Sequence, residues 1–391
     1  MTRRAWLTVC AKEVRESLRD RRTVASALLL GPLMMPLLLV VMLTVIGQQI
    51  ARDLEKTLVL PVAGADHAPN LVAWLRQEGV DVQPGPADPV QAVLGKQAEV
   101  VLVIPPGYGE DWRAGRPATV ELHFDRTRDR AQTAVRRARS LLEGYGATMG
   151  ALRLVARGID PAVARAVAVE ERDAASVDPL LAFLVAFFPY GLMFAAFMGG
   201  MYLAIDSTSG ERERLTLEPL LVNPASRTQL VLGKLAATVL FSAVSLTLCV
   251  VAMSGGLTLV PPLPGGVRLA LPPPQAAQIL LIALPLVLVA SASQMLIASF
   301  TRTYREAQTY VQAFLMIPLV PSVVQVISPV DATAATLLTP VLGQSVLISL
   351  IGKGRPVELW QVALTWGSAL AVGALFALAV VRMYRREKLL S

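Results

Sequence analysis

The chain has 391 residues, of which 54% are hydrophobic and only 17% charged, and its mean hydropathy is +0.54. Soluble domains of this length carry more charge, so composition alone points to a membrane protein. The formal charge of +7 and the isoelectric point near 9.7 do not indicate nucleic-acid binding, because Arg and Lys sit beside hydrophobic runs and not in a patch interleaved with aromatics.

Residues 1–22 are charged but patterned. Trp6, Cys10, Val14 and Leu18 recur at helical spacing, with Lys12, Arg15, Glu16 and Arg19 elsewhere around the wheel. This predicts an amphipathic helix lying at the cytoplasmic interface. Residues 23–47 read as a first transmembrane helix containing Pro32 and Pro36. They are longer than a signal-peptide core and no small-residue cleavage site precedes Gln48, so the segment reads as a retained anchor.

Residues 48–178 change character. Strand-like runs lie at 58–63, 100–104 and 118–124, helix-like segments at 69–78 and 89–96, and a short strand at 80–82. Strands alternating with helices predict a small α/β domain. It closes on a long helix over 128–157, whose apolar stripe includes Ala131, Val135, Ala138, Leu142, Tyr145, Met149 and Leu152. Unbroken, that helix reaches about 45 Å at 1.5 Å per residue, enough to link a distal domain to a membrane.

Five further spans are expected near 180–205, 230–260, 277–300, 309–327 and 359–381, each long enough for a bilayer core of about 20 helical residues. Residues 332–351 are apolar but broken by Pro340 and Gly343, and read as a re-entrant or outer-interface helical pair. The fold class is therefore an α-helical polytopic membrane protein of six spans, with an α/β domain between the first and second and a basic tail over 382–391. Arg and Lys number 17 in the segments proposed as inner and three, Arg268, Lys353 and Arg355, in the two short outer loops. By the positive-inside rule both termini are cytoplasmic and residues 48–178 lie outside, in the periplasm of a bacterial inner-membrane protein.

Some chemistry is excluded. No G-x-x-x-x-G-K-[ST] loop occurs, so this chain is not expected to hydrolyse ATP by the usual route, and no cofactor or metal is expected on it. Asp66, His67, His123 and Asp125 could meet at a metal, although isolated polar surface accounts for them better. The deep polar groups of the spans are neutral. Ser291, Gln294, Gln312 and Gln325 are candidates for a translocation path, although helix packing explains such residues as well. Small-residue spacings at Ala196 to Gly200 and Gly367 to Ala371 suit helix contacts.

The strongest local feature is the loop G-E-R-E-R-L-T-L-E-P-L-L-V-N-P-A-S-R over 210–227. If 211–218 is helical, Glu211, Arg214 and Glu218 share a face, Pro219 kinks the helix or opens a new turn after Thr216, and Ser226 to Gln229 form a capping box opening the next span. The loop fits docking on a soluble partner or, equally, an interfacial linker.

Four motifs in order resemble the NatB-like branch of the ABC-2 permeases: K-E-V-R-E-S-L-R-D-R-R-T (12–23), G-I-D-P (158–161), the 210–227 loop with L-G-K (232–234), and Y-R-E-A-Q-T-Y (304–310). Leu215 stands where the resembling loops commonly carry glycine. The resemblance implies a non-catalytic permease subunit, paired with a second copy or a paralogue, and driven by two separate ATPase chains that carry the ATP and its Mg ion. It implies ATPase contact through Lys12 and Arg19 of the interfacial helix and through Glu211, Glu213, Arg214, Glu218, Pro219 and Arg227 of the loop. The function it implies is export of a substrate driven by the partner's ATP hydrolysis. The alternatives are a mechanotransmission complex acting on periplasmic partners and a ligand-sensing receptor.

Overall fold

In the computed structural model, which describes residues 5–164, 187–216, 226–262, 268–328 and 330–385, the chain divides into two units: Arg52–Ala174, and Met1–Ala51 together with Ala175–Ser391.

In the Arg52–Ala174 unit, a four-stranded sheet has the order β2-β1-β3-β4. Strand β1 (Val59–Ala63) pairs parallel to β2 (Asp81–Pro84) and β3 (Val100–Val103), and β4 (Glu121–Phe124) closes the edge antiparallel to β3. The parallel crossovers are helical. For this unit's helices we reserve the labels α4 (Pro69–Gln77), α5 (Pro89–Leu94), α6 (Tyr108–Arg113) and α7 (Asp129–Val155). Both crossover helices open on proline, whose missing N–H is no loss in a first turn, and Asp88 caps α5 through the amides of Val90 and Gln91. Leu60, Val100 and Leu102 of the sheet pack with Leu71 and Leu75 of α4 and Ala138 of α7 into one core. The long helix is 27 residues, about 40 Å.

The other unit is helical. Helix α1 (Ala5–Arg19) precedes α2 (Arg21–Val24), a π-helical segment Ala25–Leu30 and α3 (Gly31–Glu55). After the α/β unit follow α8 (Phe188–Ile205), a π-helical turn Asp206–Gly210, the single turn α9 (Glu211–Glu213), α10 (Arg227–Leu257), α11 (Pro273–Phe300), α12 (Tyr304–Phe314), α13 (Leu319–Ile327), α14 (Ala334–Leu337), α15 (Leu342–Gly352) and α16 (Leu359–Arg385). Six helical segments among the described residues are long and apolar enough to cross a membrane: Ala25–Gln49, Phe188–Glu213, Arg227–Leu257, Pro273–Phe300, Tyr304–Gln325 and Leu359–Arg385. Helix α8 is buried along almost its whole length, held between α10 and α11.

The structure corrects several sequence expectations. The fifth span starts at Tyr304, where Thr303 Oγ1 accepts from the Glu306 amide, and is broken between α12 and α13 at Pro318. Helix α6 was not expected. It is one and a half turns long and held by ring stacking of Tyr108 on Trp112 and of Trp112 on Tyr145. In α1 the buried face only partly coincides with the expected apolar stripe: Cys10 and Val14 pack against the core beside the buried Glu13 and Ser17, while Trp6 and Leu18 are exposed. Of the two small-residue spacings, Ala196 and Gly200 are buried against α10, whereas Gly367 and Ala371 lie on an exposed face of α16.

Candidate functional site

The loop after α8 is built by its own hydroxyls. In the π-helical turn Ser209 Oγ donates to the Ile205 carbonyl at 3.1 Å, and Thr208 Oγ1 donates back to Ala204. A side chain that satisfies carbonyls one turn back lets the backbone widen there without orphaning acceptors. Helix α9 then ends abruptly. The Leu215 amide bonds to the Arg212 carbonyl at 3.1 Å and the Thr216 amide to the Glu211 carbonyl at 3.0 Å, the paired closure of a Schellman turn. Its pivot, Leu215, has φ 56°, a left-handed conformation that glycine adopts without strain and leucine does not. The helix expected over 211–218 is therefore cut to Glu211–Glu213, and the expected shared face does not form. Glu218 and Pro219 lie outside the described residues.

Instead, four consecutive side chains reach four different places. Glu211 turns inward and pairs with Lys234 of α10. Arg212 donates to the Thr301 carbonyl at 2.8 Å and the Ser299 carbonyl at 3.1 Å, at the end of α11. Glu213 accepts from the Tyr304 amide at 2.6 Å, at the start of α12. Arg214 folds back on Asp206 at 2.7 Å. A cation on the last carbonyls of one helix and an anion on the first amides of the next are both favoured by the helix termini. Glu-Arg-Glu-Arg thus clamps the ends of α8, α10, α11 and α12 around one turn of chain.

Lys234 is the residue that sequence reading missed. The sequence places it in the L-G-K stretch and among the charges at the edge of a span but gives it no role, yet its side chain is 0% exposed. Besides Glu211, its Nζ donates to the Ser207 carbonyl at 2.7 Å. A buried ammonium needs such partners, because desolvation outweighs attraction unless the remaining protons are satisfied. Helix α1 lies alongside at the same level. A β-carbon at Gly233 would sit 2.6 Å from Val9 Cβ and 2.7 Å from the Trp6 carbonyl, so glycine permits backbone-to-backbone approach of α1 and α10. That contact brings Glu13, 5% exposed, into electrostatic reach of Lys234 and Glu211, with Lys12 at 3.4 Å.

Burial raises the Glu13 carboxyl above its ordinary value, with Glu211 adding to the shift and Lys234 and Lys12 opposing it. A carboxyl whose folded value is raised contributes stability at low pH that is lost as pH rises through the folded value. Glu13→Gln is therefore expected to flatten the fall in thermal stability in detergent as pH rises from the ordinary carboxylate range through the raised folded value of Glu13. An unchanged pH slope would show that Glu13 is solvated in the folded protein.

The remaining candidates are dispersed. Lys12 bridges Glu13 and Glu16, and Arg19 is exposed in the last turn of α1. Arg227 donates to the carbonyls of Tyr384 and Arg385, and Arg385 returns a bond to Thr228, tying α10 to α16. Ser226 Oγ caps α10 through the Gln229 amide at 3.3 Å. Among the translocation candidates, Ser291 meets Ser242 and Gln294 donates to the Phe197 carbonyl, both between packed helices. Gln325 bonds Ser345 and Ser349 of α15. Gln312 is exposed. In the other unit His67 meets the Ile104 carbonyl, His123 meets Glu121 and Asp125 caps Thr127. Among the described residues no three His, Cys, Asp or Glu side chains come together as a metal would need.

A family model described as ABC-2 family transporter protein matches residues 27–382. The chain is 24% identical over 319 residues to the ABC transporter permease protein NatB of Bacillus subtilis (strain 168), a match covering 79% of this chain and 80% of that protein.

Proposed function

The chain belongs to the ABC-2 family of transporter proteins, and from that premise we propose that it is the permease subunit of an ATP-driven exporter whose 206–229 loop docks on a separate ATPase. Membership makes it a multi-pass membrane component of a transporter and implies an ABC ATPase partner. Two ATPase copies and a second permease copy or paralogue complete the complex. The termini and the loop face the cytoplasm and residues 48–178 face outward, as the distribution of Arg and Lys supports. The observation that carries the docking reading is the clamp at Glu211–Arg214. A loop serving only as a connector has no need to grip the ends of four helices, whereas one that receives force from a partner must pass it to all of them. ATP closure of the ATPase pair displaces the loop, and the clamp carries that displacement into α8, α10, α11 and α12. Transport follows because the two resulting membrane arrangements bind the cargo differently.

Glu218 tests this reading. It follows the clamp in sequence and meets the partner as a carboxylate, which a basic groove would bind by charge-assisted hydrogen bonds worth about 2–5 kcal/mol when buried. Glu218→Ala is expected to leave membrane abundance intact and to reduce copurification of the ATPase by tenfold or more, taking about 1.4 kcal/mol per decade. Glu121→Ala, in β4, is the control and should leave recruitment unchanged. Normal recruitment by Glu218→Ala and by the double change with Glu211→Gln would make the loop a connector.

A further inference from the structure

Lys234 sits outside the docking surface itself, fully enclosed, and joins three segments far apart in sequence. Its Nζ holds the Glu211 side chain from the loop and the Ser207 carbonyl from the π-helical turn, while its own helix α10 is pressed backbone-to-backbone on α1 at Gly233. Glu13 of α1 faces the same ammonium across that contact. No water-facing role is open to a side chain so enclosed, and a neutral apolar residue would fill the space at lower desolvation cost. What an ion pair adds over apolar packing is register: it fixes which residue lies opposite which, because any slip leaves a buried charge alone.

We infer that Lys234 is a positioning residue that locks α1, the start of α10 and the 206–214 segment into one rigid body, so that the N-terminal helix and the loop act on the partner as a single surface. This rests on the docking reading above and adds to it a mechanical constraint: the two elements do not move independently during the ATP cycle. Force entering at the loop reaches α10 through the Lys234–Glu211 pair and reaches α1 through Gly233 and Glu13.

The experiment uses the full-length chain with Cys10→Ser and Cys249→Ala, carrying spin labels at Leu18→Cys on α1 and Leu215→Cys after α9, both exposed positions. In the permease alone, the label-to-label distance distribution is expected to be narrow, and to broaden in Lys234→Met/Glu211→Gln. The double change neutralises both partners, so it avoids the unpaired buried charge that either single change would leave and is expected to keep membrane abundance. In the complex with the partner ATPase, the distance with unchanged Lys234 is expected to stay constant between nucleotide-free and ATP-trapped states, within the about 1–2 Å of ordinary helix shifts. A narrow distribution in the double variant would overturn the role of Lys234. A nucleotide-dependent change in the unsubstituted pair would overturn the single rigid body. Because the first arm needs no ATPase and the second needs no variant, misfolding of the double variant leaves the second decisive. Failure of the docking reading appears elsewhere, as absent ATPase copurification with the wild-type chain.

Discussion

Leucine at Gly199 or Gly200 is expected to remove most folded protein from the membrane fraction, the larger of the two strongest effects foreseen. A β-carbon at Gly199 would lie 2.4 Å from Ser245 Cβ and 3.0 Å from Ser242 Cα; at Gly200 it would lie 2.4 Å from Ser242 Oγ and 3.0 Å from the Thr238 carbonyl. At Gly199 the opposing atoms are a first side-chain carbon and backbone of α10, which cannot swing aside; at Gly200 the Ser242 hydroxyl can rotate, but Thr238 Cγ2 at 2.7 Å and the Thr238 carbonyl remain in the way. Relief would have to come from separating α8 from α10, which would break the Ser245 bond to the Ala195 carbonyl and open the most enclosed helix in the chain. Overpacking by a methylene or two costs about 1–3 kcal/mol in a well-packed interior, and a whole leucine against backbone exceeds that range. Alanine at either position should give an intermediate loss. Gly367→Leu is the matched control, since a β-carbon there meets nothing within 4 Å. Extraction yield and unfolding temperature in detergent read the result; normal yield for Gly200→Leu would mean that α8 and α10 are not in close contact in the membrane.

The parts of this fold that local chemistry decides were legible in the sequence. The apolar run at 58–63, bounded by charge and glycine, is β1; prolines at 69 and 89 open α4 and α5; and the apolar runs after residue 187 lie in long helices. What escaped was decided by partners distant in the chain. The stripe of Trp6, Cys10, Val14 and Leu18 gave α1 its helix but only part of its buried face, because the close approach to α10 at Gly233 also encloses Glu13 and Ser17 beside Cys10 and Val14. Helix α6 offers too few residues for a periodic pattern, and its stability comes from Tyr145 on another helix. The early end of α9 was signalled only by the glycine that resembling loops carry at position 215, because Leu215 itself is not a residue that announces a left-handed turn. Lys234 reads in sequence as a charge at a span's edge; its partner Glu211 is 23 residues away and becomes visible only once α8 and α10 are packed. The Glu-Arg-Glu-Arg motif itself was legible as important, but spacing on an imagined helix suggested one shared face, where the real turn distributes the four side chains to four destinations.

That distribution makes Arg212 the second large effect. Helix α11 ends at Phe300, and the carbonyls of its last turn have no intrahelical donor. Arg212 supplies one guanidinium to two carbonyls around that end, Ser299 and Thr301, both on buried residues. Its neighbour Glu213 holds the Tyr304 amide on the far side of the same short turn, so two adjacent loop residues fix both sides of the α11–α12 connection. Hydrogen bonds to a charged group contribute roughly 1.5–3 kcal/mol each, and removal leaves buried acceptors unpaired. Arg212→Met keeps much of the apolar stem and loses both bonds, while Arg212→Lys keeps the charge but not the planar fork that spans two acceptors. Unfolding temperature is expected to fall in the order wild type, Lys, Met. Hydrogen exchange at the amides of residues 301–306 should accelerate in the same order, since the turn would then open locally without global unfolding. Under the proposed docking role, movement of α12 on ATP binding by the partner should weaken in parallel, because the loop would retain its grip on α10 and lose one of its two holds on the α11–α12 connection. Equal exchange in Arg212→Met and wild type would show that the turn is held without Arg212, leaving Glu213 as the clamp's one described hold on the α11–α12 connection.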